Sequence, residues 1–374
     1  MKQSEHLATF ALLTGLLLLL ISSAVRAHKA SDSFIYVDQG QSEIRIDVAL
    51  RDLALVLPLD RNGDQKLSGS ELRASRDRIT RWTEQGITLS NASGDCRMTG
   101  QQWGLSSHSD GPYAAGRYTV NCPDGSVPDT LEYQLLFAQD PLHRGLVSLE
   151  SGEFSTLGVL APDNRRFSLT TEGAPGSLAL FGTFVYQGIV HLLIGLDHIL
   201  FLLVLMLPAT LGKPNGTERA GLKPRLRELI GIVTAFTVAH SITLVLAVLE
   251  IVRLPIAWVE TVIALSIAVA AINVMWPVLG KKTWKLAFGF GLIHGFGFAS
   301  VLGDLTSGIS QTVLALAGFN IGVELGQLAL LILLFPLFYL WGKTNHYGKA
   351  AVPVMLIAVG AISLYWVAQR VTAI

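Results

Sequence analysis

The order of apolar and polar residues divides the chain into two parts of different character. Before about residue 175, short runs alternate apolar with polar side chains, which is the period of half-buried β-strands. After it, six apolar stretches are long enough to cross a bilayer as helices. These stretches are residues 181–208, 229–252, 254–279, 284–302, 313–341 and 350–367. The pattern predicts an α-helical polytopic membrane protein with six spanning helices and an amino-terminal β-rich domain.

The amino-terminal part carries its clearest alternation at residues 33–37, 43–48, 117–120 and 130–135. Clusters of Gly, Asn, Asp and Pro separate these runs, as expected for turns between strands. Residues 80–86 and those just before them instead have the spacing of an amphipathic helix. We expect a small sandwich-like domain with a helical insertion, followed by a linker near residues 171–176.

The first 27 residues have the composition of a secretory signal. Lys2 provides a positive start, residues 12–21 form a short apolar core, and Ala27 ends a small-x-small cleavage motif. Cleavage after Ala27 would remove a signal peptide (1–27). The change in residue pattern then divides the remaining chain into an exported domain (28–175) and a membrane domain (176–374). The alternative is an anchor that is not cleaved.

Both cysteines, Cys96 and Cys122, lie in the exported domain. Exported proteins fold in an oxidising compartment, so the simplest prediction is one disulfide between them. Metal binding by this pair is the alternative, although no histidine lies at the spacing of a zinc finger.

Basic residues in the loops predict the orientation of the six helices. The first loop contains several Lys and Arg residues and the third and fifth contain Lys, whereas the second has only Arg253 and the fourth has no basic residue. Because basic loops stay in the cytoplasm, the amino-terminal domain and the carboxyl terminus are predicted to be extracytoplasmic, in a bacterial-type inner membrane. The secretory signal predicts the same orientation.

Composition excludes some classes of function. The chain is 51% hydrophobic and 15% charged with a formal net charge of +0, so no general affinity for nucleic acid is expected. The sequence has no nucleotide-binding motif, so any energy for transport must come from a gradient or from a partner.

One segment of the exported domain has the spacing of an EF-hand calcium loop. Residues 60–71 would provide oxygens from five side chains and from the backbone carbonyl of Lys66. The five side chains are those of Asp60, Asn62, Asp64, Ser68 and Glu71. Gln65 occupies the position that usually holds glycine, so the turn requires a strained backbone. We predict a structural calcium site; the alternative is a turn without an ion.

Ionisable side chains inside the apolar stretches are the strongest functional signal. Such residues are costly in hydrocarbon and usually mark an ion path, a relay or a metal site. Imidazole and carboxylate groups are also ligands of divalent transition metals. The predicted metal ligands are His191, Asp197, His198, His240, His294 and Glu324, and the residues predicted to support them or to line the path are Glu260, Asn320 and Gln327. The alternative is a buried hydrogen-bond network that only holds helices together.

Helix geometry limits how the first two histidines can act. His191 and His198 are seven residues apart, which places them on one helix face about 10 Å from each other. On an unbroken helix they cannot share one ion, so they would form two stations unless the helix unwinds at Gly195. Asp197 points away from both and is better placed to orient a histidine of a neighbouring helix.

The run from His191 through Gly195 and Asp197 to His198 resembles the first-span motif of the HupE/UreJ family of nickel permeases and hydrogenase or urease accessory proteins. Runs at residues 236–241, 259–266, 290–295 and 320–326 are similar to the longer branch of that family, which carries an exported amino-terminal domain. The resemblance covers roughly residues 180–370. It implies a six-span permease for a divalent metal, with nickel as the leading ion, zinc or cobalt as alternatives, and metalloenzyme-maturation proteins as partners.

Three functions remain open at this point. In a permease, His191 meets the ion on the outer side, and the other histidines with Glu324 form a central site. In an intramembrane zinc-dependent hydrolase, the histidines hold a zinc ion that activates water. In a non-transporting accessory protein or sensor, the exported domain binds a partner. We favour the permease over an enzyme; neutral imidazoles release an ion more readily than a thiolate cage would, which suits transport.

Overall fold

The amino-terminal strands form one curled sheet in a computed structural model, which describes residues 32–371 except 39–41, 65, 109–110, 152–153, 171–175, 212–220, 250, 253, 280–281, 304–308 and 345. The strands are β1 (Asp32–Asp38), β2 (Glu43–Ala49), β3 (Ile87–Asn91), β4 (Gly94–His108), β5 (Gly111–Asn121), β6 (Thr130–Tyr133), β7 (Arg144–Ser151), β8 (Phe154–Leu160) and β9 (Arg166–Ser168). Their order across the sheet is β8-β7-β1-β2-β5-β4-β3-β6-β9. The predicted signal peptide lies outside the described residues.

The sheet is a nearly closed barrel and not the sandwich we expected. Its strands pair in antiparallel fashion except β1 and β7, which are parallel. The two edge strands approach each other, and Phe167 of β9 lies against Gly158 of β8. Closure leaves few unpaired strand edges, which protects a β-domain from edge-to-edge association.

Side chains alternate between the inside and the outside of this barrel. Ile35, Ile46 and Val48 point inward and are at most 2% exposed. Each such aliphatic side chain stabilises the fold by about 1.5–3 kcal/mol when fully buried. The two helices that follow β2 are α1 (Leu50–Val56) and α2 (Gly69–Gly86). Leu72 and Ile79 of α2 join the same core, so the predicted helical insertion is confirmed.

The predicted disulfide is present. Cys96 on β4 and Cys122 just after β5 are bonded to each other across a sequence separation of 26 residues. Both sulfur-bearing side chains belong to the buried core of the barrel. The bond is consistent with an extracytoplasmic location for this domain.

The carboxyl-terminal half is helical. Its helices are α3 (Ser177–Ile194), α4 (Leu196–Thr210), α5 (Leu222–Val248), α6 (Ile256–Met275), α7 (Thr283–Gly303), α8 (Ile309–Trp341) and α9 (Val352–Val371), the last preceded by a π-helical turn (Tyr347–Ala351). Five helical segments among the described residues are long and apolar enough to cross a membrane: Ser177–Ile194, Leu222–Val248, Ile256–Met275, Gln311–Trp341 and Tyr347–Val371. Leu196–Thr210 is apolar but shorter. The chain is therefore a membrane protein.

Small residues let these helices approach closely. Gly188 of α3 lies against the backbone of α8, where an added Cβ would be 2.1 Å from the carbonyl oxygen of Phe319. Gly295 of α7 lies against α5, where an added Cβ would be 2.1 Å from Thr243 Oγ1. These contacts hold α3 beside α8 and α7 beside α5.

One outer face of the sheet docks onto the ends of the helices. Phe34, Leu146 and Val159 point away from the barrel interior and belong to a buried cluster shared with the bundle. The helix residues in this cluster are Leu180 and Phe184 of α3, Leu244 and Val248 of α5, and Leu316 and Phe319 of α8. The sheet therefore covers the end of the bundle at which α3 and α8 begin and α5 ends.

Candidate metal site

The first apolar stretch is broken at Gly195, which separates α3 from α4. An added Cβ there would lie 2.9 Å from His198 Nδ1 and 3.0 Å from the carbonyl oxygen of His191, so glycine permits this close turn. The break brings the ring centroids of His191 and His198 to 5.1 Å from each other. The expected separation of about 10 Å applies only to an unbroken helix. Of the two alternatives for this pair, the helix adopts the one in which it unwinds at Gly195.

The remaining two histidines lie beside this turn. The ring centroid of His198 is 5.3 Å from that of His294 on α7 and 6.2 Å from that of His240 on α5. His198, His240 and His294 are 5%, 0% and 2% exposed, respectively. Together with His191 they form what we call the histidine cluster.

Two of these rings have their orientation set by an oxygen acceptor. Asp197 Oδ1 lies 3.1 Å from His198 Nδ1, and an ionised carboxylate can only accept, so Nδ1 carries the proton. Asn320 Oδ1 lies 3.2 Å from His240 Nδ1, while the amide nitrogen of Asn320 donates to the Leu316 carbonyl at 2.9 Å. The amide oxygen therefore accepts, and His240 Nδ1 also carries its proton.

The ring of His294 is set by Ser266 of α6. Ser266 Oγ lies 3.3 Å from His294 Nε2 and donates its own hydrogen to the Ile263 carbonyl at 2.7 Å. Because that hydrogen is committed, Ser266 Oγ accepts from His294 Nε2. The Nδ1 atom of His294 consequently carries a lone pair.

Three buried ring nitrogens are left as lone-pair donors. Within the described part of the chain, His198 Nε2, His240 Nε2 and His294 Nδ1 have no hydrogen-bond partner. Leaving a buried polar atom unsatisfied costs about 1–3 kcal/mol, so three in one cluster call for a ligand that accepts lone pairs. An ion about 2.1 Å from a nitrogen of each of two rings places the ring centroids roughly 5–6 Å apart. The 5.3 Å between His198 and His294 lies in this range, and the 6.2 Å between His198 and His240 is slightly longer.

The cluster is not a closed cage as it stands. Among the described residues, no group of three or more His, Cys, Asp or Glu side chains is arranged to hold a metal ion. Bringing the three free nitrogens onto one ion therefore requires the imidazoles to turn.

Asp197 orients a histidine, as predicted, but the histidine is its own neighbour in the chain. Its Oδ1 also accepts from the backbone N–H of His198 at 2.9 Å. Asp197 lies in the first turn of α4, where the exposed N–H groups of a helix favour a negative charge. The carboxylate thus supports His198 from behind the ring.

The predicted polar residues of α8 face α5. Gln327 Oε1 accepts from Thr237 Oγ1 at 3.0 Å, and Glu324 Oε1 accepts from Thr234 Oγ1 at 2.8 Å. Asn320, one helical turn before Glu324, contacts the histidine cluster directly through His240. The structure thus brings Asn320 to the cluster and places Glu324 on a threonine rather than on a histidine.

Glu260 occupies a different environment from Glu324. Its carboxylate lies 3.8 Å from Arg370 Nε, and its backbone carbonyl accepts from Arg370 at 2.7 Å. This ion pair joins the start of α6 to the end of α9. Glu260 therefore has a charged partner, Arg370, which the prediction of the metal site did not include.

Aromatic rings cover one side of the histidine cluster, which the sequence analysis missed. Phe201 stands 5.5 Å from His294 and 5.3 Å from Phe236, while Phe236 stands 6.2 Å from His198, all between ring centroids. Phe236 precedes His240 by four residues, so the two share a helix face. That spacing could have predicted that Phe236 lies beside the histidine cluster. The contact of Phe201 with the cluster could not be predicted, because it depends on how the helices pack.

The segment predicted to bind calcium starts α2 with a capping box. Glu71 accepts hydrogen bonds from the backbone N–H of Arg61 at 2.8 Å and of Ser68 at 3.0 Å, and from the Ser68 hydroxyl at 2.7 Å. Hydrogen bonds from the Ser68 hydroxyl, the Ser68 N–H and the Arg61 N–H lower the pKa of Glu71 to about 2. Gln65 lies outside the described residues. The calcium site stays a prediction, since Glu71 is engaged with its own helix end.

Comparison with known proteins identifies the helical half of the chain. No curated protein matches it. The family described as HupE / UreJ protein matches residues 169–370, which is more than half of the 374 residues and includes the whole histidine cluster. The β-rich barrel lies almost entirely before the matched range. The chain therefore belongs to the HupE / UreJ family.

Proposed function

We propose that this protein is a permease that carries a divalent nickel or cobalt ion through the membrane by way of the histidine cluster, with nickel the leading substrate. Membership of the HupE / UreJ family implies nickel or cobalt transport. The observation that supports the ligand assignment is the set of three buried lone pairs on His198, His240 and His294. Supporting hydrogen bonds hold each of these rings in the protonation form that a metal requires.

The donor set suits a late first-row metal. Imidazole nitrogen binds nickel, cobalt and zinc, whereas oxygen-only sites favour magnesium and calcium. The chain has only two cysteines, and both are tied in the disulfide of the barrel, so no thiolate is present in the membrane half. Neutral rings with a single supporting carboxylate, Asp197, leave much of the ion's charge uncompensated. Release from such a site is faster than from a thiolate cage.

We infer six membrane crossings, with α3 and α4 together forming a first crossing that is broken at Gly195. The basic loops support an orientation in which the barrel and the carboxyl terminus are extracytoplasmic. The disulfide supports the same side for the barrel. In this orientation α3 runs inward, so His191 precedes His198 on the path of an incoming ion.

The remaining groups act on the site in distinct ways. Asp197, Asn320 and Ser266 hold the protons of the three inner rings away from the ion. Phe201 and Phe236 lie on the cytoplasmic side of the cluster in the inferred orientation. Their rings separate the site from the cytoplasm until they move. An ion would therefore reach the site from the extracytoplasmic side, and aromatic side chains close the site on the cytoplasmic side.

Uptake of radioactive cobalt and nickel in cells tests this function. His198→Ala and His240→Ala should each abolish uptake, whereas His346→Ala, at an exposed histidine before the π-helical turn, should leave it unchanged. Binding of Co²⁺ to the purified full-length protein should be lost in the same two variants. Normal uptake by both variants, with the protein inserted at wild-type amounts, would refute the permease. Zinc retained through purification would favour the hydrolase instead.

A further inference from the structure

A cleft lies between α5 and α8 and opens on the outer surface of the bundle, where exposed apolar side chains such as Val238, Ile242 and Ile321 line it. Its volume is about 730 Å³. The lining begins at Leu249 and Thr312, near the barrel, and ends at Thr237 and Glu324. Thr312 and Glu324 are separated by twelve helical steps, which correspond to about 18 Å along a helix axis. The cleft therefore reaches from the covered end of the bundle to roughly the middle of the membrane.

The two ends of this cleft differ in chemistry. Its walls near the barrel are apolar, with Val245 and Val313 as examples, whereas the deep end holds the side chains of Ser241, Asn320 and Glu324. Among the described contacts, Glu324 bonds to the Thr234 hydroxyl and not to a basic group. A carboxylate facing lipid tails is costly, while water in the cleft would solvate it. The polar groups of the deep end are thus able to contact water and a cation.

We propose that this cleft is a water-accessible vestibule in which Glu324 captures the hydrated divalent cation before it passes to the histidine cluster. A water molecule takes about 30 Å³ of liquid, so an ion with six waters occupies about 180 Å³ and fits the cleft with its hydration shell intact. Hydroxyl, amide and carboxylate oxygens replace water at little cost, since they resemble it as ligands. This inference rests on the proposed function and adds a capture site separate from the histidine cluster.

Asn320 connects the vestibule to the cluster. Its side chain lines the cleft, and its Oδ1 accepts the hydrogen bond from His240 Nδ1. Asn320 precedes Glu324 by one helical turn, which separates their Cβ atoms by about 6 Å. Asn320 therefore contacts His240 from the same face of α8 that carries Glu324. The mouth of the vestibule lies beside Val248 and Leu316, on which the barrel docks.

Cysteine labelling tests whether the cleft holds water. Ala317 lines the cleft and is exposed, whereas Ala329 is an exposed alanine on the same helix outside the lining. Both native cysteines are disulfide-bonded, so Ala317→Cys and Ala329→Cys each introduce one free thiol. A charged, membrane-impermeant thiosulfonate added from outside should label Ala317→Cys and not Ala329→Cys. Absence of labelling at position 317 would show that lipid fills the cleft and would overturn the proposal.

Transport kinetics test the role of the carboxylate. Glu324→Gln should raise the KM for cobalt uptake roughly tenfold, because the captured cation loses its counter-charge, with kcat little changed. Ala317→Trp should reduce uptake at least as much by filling the cleft, whereas Ala329→Trp should not. The Kd of Co²⁺ for the purified Glu324→Gln protein at the histidine cluster should remain that of wild type.

The outcomes separate this inference from the proposed function. If His198→Ala abolishes uptake while Glu324→Gln and Ala317→Trp transport normally, the vestibule is refuted and the histidine permease stands. If Glu324→Gln weakens binding at the histidine cluster as strongly as His198→Ala does, Glu324 is a ligand of the central site and the separate capture site is refuted. If His198→Ala transports normally, the proposed function fails irrespective of the labelling result.

Discussion

The hydrogen bond between Asp197 and His198 allows a graded test of the metal site. In Asp197→Asn, the backbone N–H of His198 still holds an oxygen of residue 197 in place, as it holds Oδ1 at 2.9 Å in the native protein. That oxygen still accepts from His198 Nδ1, so the protonation form of the ring is kept. The substitution removes the negative charge and little else.

The expected loss follows from the strength of the bond. Hydrogen bonds to a charged partner contribute about 1.5–3 kcal/mol, and neutral ones about 0.5–1.5 kcal/mol. The difference of about 1–1.5 kcal/mol corresponds to roughly a tenfold weaker Kd for Co²⁺ or Ni²⁺. Asp197→Ala removes the acceptor as well, so we expect a loss approaching a hundredfold, the upper end for groups that support a metal-ligating histidine.

Isothermal titration of Co²⁺ into the purified full-length protein in detergent measures these values. Glu260→Gln is the matched control, since Glu260 is a carboxylate of the membrane half that pairs with Arg370. Its Kd should equal that of wild type. Equal affinity for wild type, Asp197→Asn and Asp197→Ala would refute the reasoning, and so would a loss of similar size in Glu260→Gln.

Three further predictions concern stability. Gly295→Ala should destabilise the bundle by about 1–3 kcal/mol, because the added Cβ overlaps α5; thermal unfolding in detergent checks this against Gly289→Ala, where nothing lies within 4 Å of an added Cβ. Replacing Cys96 and Cys122 together by serine should lower the stability of the barrel by about 3.5 kcal/mol for a loop of this length, measured as a shift in urea midpoint; an unchanged midpoint would show that the bond is dispensable. The pKa of Glu71 is lowered to about 2 in the folded protein, so the stability that its ionised carboxylate contributes is complete above the ordinary pKa of 4.5 and is lost as the pH falls from there towards 2. Glu71→Gln should therefore flatten the pH dependence of the urea midpoint in that window. A curve parallel to that of wild type would contradict the lowered pKa of Glu71.

Several elements of the fold could be predicted because their signals are local. Alternating residues such as Ile35 and Ile46 predict strands, since each strand presents one face to the barrel interior. Long apolar runs predict membrane helices because every backbone polar group must be satisfied within the helix. The closure of the sheet into a barrel was missed, since it depends on which edge strands meet.

The candidate site was predicted in part. The identity of the four histidines followed from their cost inside apolar runs. The supporting role of Ser266 and the aromatic cover from Phe201 were missed, because each reaches the cluster from a different helix. The carboxylate of Glu324 is a chemically suitable metal ligand, but the rotation of α8 turns it towards Thr234 and the cleft.

The amino-acid sequence alone determined the division into a β-rich and a helical part, the disulfide and the set of ionisable residues inside the membrane stretches. Those features depend on residue type and on spacing along one element. The tertiary structure decided whether His191 and His198 could meet, since only the break at Gly195 reduces their separation to 5.1 Å between ring centroids. It also decided which ring nitrogens keep a free lone pair. That choice depends on hydrogen-bond partners contributed by other helices, and no local pattern encodes the distance between residues that are far apart in the chain.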